Sequence, residues 1–269
     1  MTSLLLENKN AVIYGGGGAI GGAVARAFAR EGAVVFLAGR TGSKLDAVAR
    51  TIRDAGGTVE TAEVDVLDQQ AVEDHADAVA ARSGRIDIAL NAVSIMHTQG
   101  TVLADLSLEE FLRPIDGFLR TLFITSKAVA RHMGGEHPGV ILTLSEPGSK
   151  LAIDGILGHG VSAAGKETFT RLLAAELAPR NVRVVGIRPH AVVDAPSAGS
   201  YTGELFQAPA DASGRSVEGF LRTEMAQGTM LKRLPTLAQV AETAVFLASD
   251  HAAAMTATIV DLSAGAIAH

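Results

Sequence analysis

The sequence contains no cysteine and no tryptophan, and only two tyrosines. Without cysteine, disulfides and thiolate chemistry are excluded, and a zinc site would need histidines and carboxylates. The shortage of aromatics leaves the core to Ala, Val, Leu and Ile, which suits close packing of helices on a sheet. No stretch approaches the roughly 18 apolar residues of a membrane-spanning helix. The N-terminal MTSLLLENKN has neither a charged leader nor an apolar run long enough for a signal peptide. Nor does any basic stripe stand out, and the formal net charge is −6, which argues against a nucleic-acid partner. The expectation is a soluble cytoplasmic protein with a small-molecule partner, no nucleic acid and no membrane.

What is present is a chain of 269 residues, 48% hydrophobic and 19% charged, enough for a sizeable core. Short apolar runs alternate with helical patterns. Residues 10–14, 33–38, 58–64, 85–91, 139–145, 182–188 and 257–262 read as strands, nearly continuous in apolar character, as strands covered on both faces are. Helical spacing marks 19–30, 43–55, 68–82, 107–132, 160–178 and 236–248. Alternation of this kind predicts an α/β fold, a doubly wound parallel sheet with right-handed crossovers. No repeat or linker divides the chain, so residues 1–269 are expected to form one domain. The segment 194–230, rich in Ser, Gly, Ala and Pro, follows the C-terminal end of a strand, where such sheets place ligands. It is expected to be a substrate loop or lid.

AVIYGGGGAIGGAVARAFAREGAVVFLAGR runs strand, glycine turn, helix, strand. Gly16, Gly18 and Gly21 satisfy G-x-G-x-x-G, and Gly15, Ala19 and Gly21 satisfy G-x-x-x-[GA]-x-G equally well. Either spacing bares backbone N–H groups at a helix N-terminus, where a pyrophosphate binds. The next strand ends at Gly39 and Arg40, with Lys44 a turn later, and carries no acid for a ribose 2′-hydroxyl. A guanidinium suits a 2′-phosphate, so NADP(H) is expected over NAD(H).

Residues 5 to 265 resemble the classical short-chain dehydrogenase/reductase family. YGGGGAIG stands at its Thr-Gly-x-x-x-Gly-Ile-Gly motif, with Tyr14 for Thr and Ala19 for Gly. EVDVLD is similar to the segment whose Asp binds the adenine amino group, here Asp65 with Val66. DIALNAVSI resembles the strand that ends Asn-Asn-Ala-Gly, of which only Asn91 survives, followed by Ala92, Val93 and Ser94. Two later segments, RLLAAELAPRNVRVVGIRP and LKRLPTLAQVAETAVFLASDHAAAMTATIVDLSAG, are also similar to the family's. The resemblance implies a Rossmann fold of about seven strands in the order 3-2-1-4-5-6-7. It implies cofactor contacts from Gly15, Gly17, Gly18, Ala19, Ile20, Gly21, Arg40, Asp65, Val66, Asn91, Ala92, Pro189, His190 and Val192. It also implies a homodimer or homotetramer built on the helices at 107–132 and 160–178.

Family members carry Ser, Tyr and Lys, with an Asn in an earlier helix. Tyr moves the proton, Lys binds the ribose and lowers the Tyr pKa, and Ser holds the substrate oxygen. Here Ser145 matches the Ser, and Phe118 stands at the Asn position. Anchoring on Lys166 puts Ser162 at the Tyr position and requires an insertion inside a helix. Anchoring on FTRLLAAELAPRNVRV needs no gap and puts His159 at the Tyr position and Ala163 at the Lys position. The ungapped register predicts Lys166 on another edge of the helix, away from the ribose. His190 and Asp194 replace the Gly and Thr of the family's Pro-Gly-x-Ile-x-Thr.

Three readings follow. In the first, Ser145 and His159 are catalytic in an oxidoreductase acting on a carbonyl or alcohol. An imidazole titrating near 6.5 needs no lysine to act near neutrality. In the second, the chain binds nucleotide without chemistry, as a sensor or oligomer partner. In the third, His159, His190 or Asp194 is the base of a dehydration or isomerisation. His97 is placed to line the same cleft. A metal on His97, His159 and His190 lacks any ligand spacing, and no metal is expected.

Overall fold

The computed structural model describes residues 4–267. Residues 1–3, where the reading of the N-terminus begins, lie outside the described residues, as do 268–269. Seven parallel strands form one sheet: β1 (Asn10–Tyr14), β2 (Val34–Gly39), β3 (Thr58–Glu63), β4 (Ile88–Asn91), β5 (Gly139–Leu144), β6 (Val182–Pro189) and β7 (Thr258–Leu262). Their order is β3-β2-β1-β4-β5-β6-β7. The chain winds outward from β1 through β2 to β3, then returns to the other side of β1 with β4. The reversal lies between β1 and β4, where Ala11 pairs with Val35 on one side and Ile88 on the other. The carboxyl ends of strands flanking such a switch open a crevice for ligands.

Adjacent residues of the inner strands feed opposite cores, which is why those strands read as nearly continuous apolar runs. Ile13, Leu37, Leu90, Leu142 and Ile187 pack beneath α1 (Ala19–Arg30), α2 (Gly42–Asp54) and the late helix at Leu237–Ala248. Val12, Phe36, Ala89, Ile141 and Val184 pack beneath α3 (Gln69–Ser83), α4 (Leu108–Ala130) and α5 (Leu157–Leu177). Helix α4 starts with a reciprocal cap between Ser107 and Glu110, a motif that satisfies two orphan N–H groups.

The segment 194–230 is more helical than its composition suggests. It holds three short helices, α6 (Thr202–Leu205), α7 (Gln207–Ala212) and α8 (Val217–Phe220), and a π-turn over Leu221–Met225. Leu221 and Ala226 bury against Val193 and Leu234, with Phe206 and Phe220 alongside. This small apolar cluster anchors the segment above the carboxyl ends of the strands. Helix α9 (Leu237–Ala248) follows, capped by Thr236 with Gln239. Among the described residues no helix is long and apolar enough to cross a membrane.

Candidate active site

The glycine turn is shaped by contacts that exclude side chains. Gly15 has φ +80°, and a Cβ there would lie 2.4 Å from the Ala92 carbonyl oxygen. A Cβ on Gly21 would lie 2.3 Å from the Gly15 carbonyl oxygen. The Gly18 N–H closes the turn on that same oxygen at 3.0 Å, and Gly18 opens α1. The first N–H groups of α1 therefore face the crevice with no side chain over them, an arrangement that receives anions.

A cavity of about 520 Å³ runs from this turn across the switch point. Its walls include Gly15, Gly17, Gly18, Ala19 and Ile20, then Arg40 and Lys44 at one end, with Val66, Asn91 and Ala92 along the side and Pro189, His190 and Val192 opposite. Two expected cofactor contacts are not on the wall. Gly21 is buried beneath the turn. Asp65 is exposed, with its carboxylate accepting the Leu67 N–H at 3.0 Å, while Val64 and Val66 on either side face the cavity. Asn91 is braced by Nδ2 donating to Thr125 Oγ1 at 2.9 Å. His190 is turned on itself, its Nδ1 accepting from the Ala191 N–H at 2.6 Å, and burial lowers its pKa.

The other end of the cavity holds Phe118, Ser145, Glu146, Gly148, His159, Lys166 and, from the 194–230 segment, Tyr201, Leu205 and Phe206. His159 is not in the glycine-rich turn that its neighbours suggest; it sits in the first turn of α5 and is buried. Gly148 makes room for its ring, since a Cβ there would come within 2.7 Å of His159 Cδ2. Its Nδ1 is buried and has no hydrogen-bond partner among the described residues. Burial pushes the imidazole down to about 4; the Glu146 carboxylate opposes this, and His97 and Lys166 add to it. Near neutrality His159 is therefore uncharged, which removes the assumption of an unperturbed imidazole titrating near 6.5.

His97, from the loop after β4, stacks on His159. Its Nδ1–H donates to the Ile95 carbonyl at 2.8 Å, leaving Nε2 to accept from Gln99 Nε2 at 3.0 Å. The acceptor role of Nε2 selects the neutral ring, and burial lowers the pKa, against the Ile95 carbonyl and Glu146, which raise it. Tyr201 lies 6.0 Å from His97, ring to ring. Burial, and then Glu146, raise its pKa, so its phenol keeps the proton.

Ser145 does line the cavity, but its hydroxyl donates inward, to Glu167 Oε1 at 2.9 Å. The same oxygen accepts from Ser149 Oγ at 2.6 Å and Arg188 Nη1 at 3.0 Å. Burial pushes the Glu167 carboxyl up, yet these three bonds hold it below the usual carboxylate range.

Lys166 corrects the expectation of a different helix edge. It is buried, lines the cavity with His159, and donates to both Glu146 carboxylate oxygens at 2.6 Å. Its Nζ stands 4.1 Å from the centre of the Phe118 ring. Seven residues are nearly two helical turns, so His159 and Lys166 share a face, with Ala163 between them. Ser162 is buried and donates to the His159 carbonyl at 2.8 Å. Asp194 belongs to neither site: its carboxylate accepts the Leu237 N–H at 2.8 Å, at the start of α9, so it is a cap rather than a base. Among the described residues no group of three or more His, Asp or Glu side chains is placed to hold a metal. Sequence reasoning passed over Glu146; the only available signal was its place next to Ser145 at a strand end.

A doubly wound parallel sheet with a side-chain-free helix N-terminus at its switch point, continuous with a cleft of buried polar groups, defines a dinucleotide-binding oxidoreductase scaffold. A family model described as enoyl-(acyl carrier protein) reductase matches residues 17–266. The chain belongs to the short-chain dehydrogenase/reductase family. It is 31% identical over 264 residues to an uncharacterised oxidoreductase of Mycobacterium tuberculosis, covering 97% of this chain and 92% of the relative. A dehydrogenase/reductase from Sinorhizobium meliloti has a similar structure, with a TM-score of 0.83 at 25% identity over 99% of this chain and 98% of that one. A short-chain dehydrogenase from Burkholderia cenocepacia, solved in complex with NADP, gives a TM-score of 0.82 at 23% identity, over 98% of this chain and all (100%) of that one.

Proposed function

We propose that this chain is an NADP(H)-dependent oxidoreductase that interconverts a carbonyl and an alcohol on a small molecule. The observation that carries the reading is the single cavity that joins the bare glycine turn and Arg40 to Ser145 and His159. The turn fits a dinucleotide: the α1 N-terminus would receive the pyrophosphate, and Ala92, Pro189 and Val192 would flank the nicotinamide end. Arg40 and Lys44 make no ion pair among the described residues and would meet a 2′-phosphate. The bound cofactor would supply or accept hydride. The protein's part is to hold the substrate oxygen, exclude water and manage the proton. Ser145 and His159 flank that oxygen. The neutral imidazole offers it a hydrogen bond, and the seat on Gly148 fixes the ring. Segment 194–230 covers this end as a lid, with Tyr201, Leu205 and Phe206 as its inner surface. A homodimer or homotetramer belongs to the same reading. Leu108, Leu112 and Phe123 of α4 and Leu157, Val161 and Leu172 of α5 are large apolar side chains left exposed, and a second copy would cover them.

The test is a pair of titrations followed by a turnover screen. NADPH is expected to bind more tightly than NADH and to be consumed with a panel of apolar ketones and diketones. A nucleotide-binding protein without chemistry is the second reading. It is favoured by the depressed His159 and by the commitment of the Ser145 proton to Glu167. Tight cofactor binding with no turnover across the panel establishes it instead.

A further inference from the structure

Hydride addition to a carbonyl leaves charge on oxygen, and some group must supply a proton. The side chains around the substrate end differ sharply in what they can give. His159 and His97 are neutral, and His97 spends its one N–H on Ile95. The Ser145 proton goes to Glu167. Burial and Glu146 disfavour the ionised form of Tyr201. Arg40 and Lys44, the other cations of the cavity wall, lie at the adenosine end beyond the glycine turn. That leaves Lys166. Two of its three N–H bonds serve Glu146, and the third faces the π-cloud of Phe118, a partner that a substrate oxygen can replace at small cost.

We infer that Lys166 is the proton donor of this site and Glu146 its relay to solvent, in place of a tyrosine. This rests on the oxidoreductase reading. In the reductive direction a bound cofactor would supply hydride to the carbonyl carbon, and the C=O π pair would move to oxygen. Oxygen then takes a proton from Lys166 Nζ, whose N–H pair stays behind as an amine lone pair. Glu146, with 26% of its side chain exposed against 5% for Lys166, passes a proton from water to restore the ammonium. Oxidation runs the same path backwards. Phe118, at a position where the family has a polar side chain, gives the ammonium an apolar wall with no competing acceptor. His159 is then a positioning residue, holding the substrate oxygen within reach of Nζ.

Turnover of phenanthrenequinone, a planar activated diketone, is measured with NADPH in the wild type and in Lys166→Ala, Glu146→Gln and His159→Phe. Lys166→Ala is expected to lower kcat about 10²–10⁴-fold with cofactor affinity intact, and added propylamine to restore part of it. His159→Phe is expected to lower it less. Glu146→Gln is expected to slow turnover and shift the pH profile, because Glu146, His97 and His159 face the ammonium and Glu146 also acts on Tyr201. An independent reading comes from the apoprotein, where Lys166→Met should raise the His159 titration seen by NMR, since Lys166 depresses it and the freed Glu146 lifts it. Lys166→Ala turning over like wild type, or failing to respond to amine, overturns the inference while leaving the oxidoreductase reading in place. An unmoved His159 titration overturns it too, by showing that the pair does not face the imidazole. A wild type that consumes no NADPH with any carbonyl removes the oxidoreductase reading, and this inference with it.

Discussion

The His97 imidazole lies against that of His159, with 4.9 Å between ring centroids and 6° between planes. Protonating either ring would bury a charge and set it against its neighbour. His159 and, packed against Tyr14, His75 are both held down to about 4. In the unfolded chain they would titrate near 6.5. Between these values the unfolded state binds more protons, so stability rises with pH through that window and is lost as pH falls from about 6.5 to about 4. Each ring contributes on the order of 3 kcal/mol to that loss. His159→Phe keeps an aromatic face for His97 and has no proton to gain. Urea unfolding at pH 7 and pH 5 should show a smaller acid penalty for the variant; an equal penalty would contradict the buried neutral ring.

Arg40 sits exposed at the cavity rim. Arg40→Ala is expected to cost NADP(H) binding about 1.5–3 kcal/mol, the scale of a charge-assisted hydrogen bond. NAD(H) binding should hardly change. Fluorescence titration of both cofactors checks this, and parallel losses for the two would deny Arg40 a part in reading the 2′-phosphate.

The glycine turn has no room for one more carbon at Gly21. Gly21→Ala would drive its Cβ into the Gly15 carbonyl. Relief requires α1 to move away from the turn, at a cost of about 1–3 kcal/mol in stability and with loss of cofactor binding. Thermal melts with and without NADPH should show a lower Tm and no shift on adding cofactor.

Glu167 ties Ser145 and Ser149 to Arg188. Glu167→Ala removes one carboxylate acceptor of a buried guanidinium. Asp261, 3.7 Å from Arg188, remains as partial compensation, so the expected loss is about 3 kcal/mol. Denaturant midpoints measure it. A midpoint unchanged from wild type would mean that the network adds nothing to stability.

Backbone amides of residues 202–225 should exchange quickly in the apoprotein and slow when NADPH is added. The helices here are a turn or so each, resting on one small cluster, and such segments open at low cost. Slow exchange in both states would make the segment a fixed wall rather than a lid.

The strands and helices were legible because apolar and amphipathic segments alternate with glycine, Asp and Thr at the boundaries, and the strand order followed from the resemblance to the family. Each of the seven expected strands has its counterpart, the largest difference being β4, which starts at Ile88 rather than 85. The start of α5 was less legible. GHG reads as a turn by propensity, but Gly158 is needed because the Phe111 carbonyl oxygen would lie 2.7 Å from a Cβ there. Tertiary closeness, not local preference, chose that glycine. Lys166 was misplaced for a different reason. Its helical phase is readable from the numbers, but the reach of a flexible four-carbon side chain toward a carboxylate on another element is not. Glu146 carried no pattern at all.

The positions of His159, Ala163 and Lys166 along one face of α5 bear on how a site can be rebuilt. A helix offers its cleft a ladder of rungs three or four residues apart, and a long side chain can lean from one rung toward the place served by the next. A cation can thus leave one sequence position and still be present in the same cavity. In the ungapped register, replacement at a motif position and loss of a charge from the cleft would be separate events, since Lys166 keeps a cation in the cavity one turn beyond Ala163.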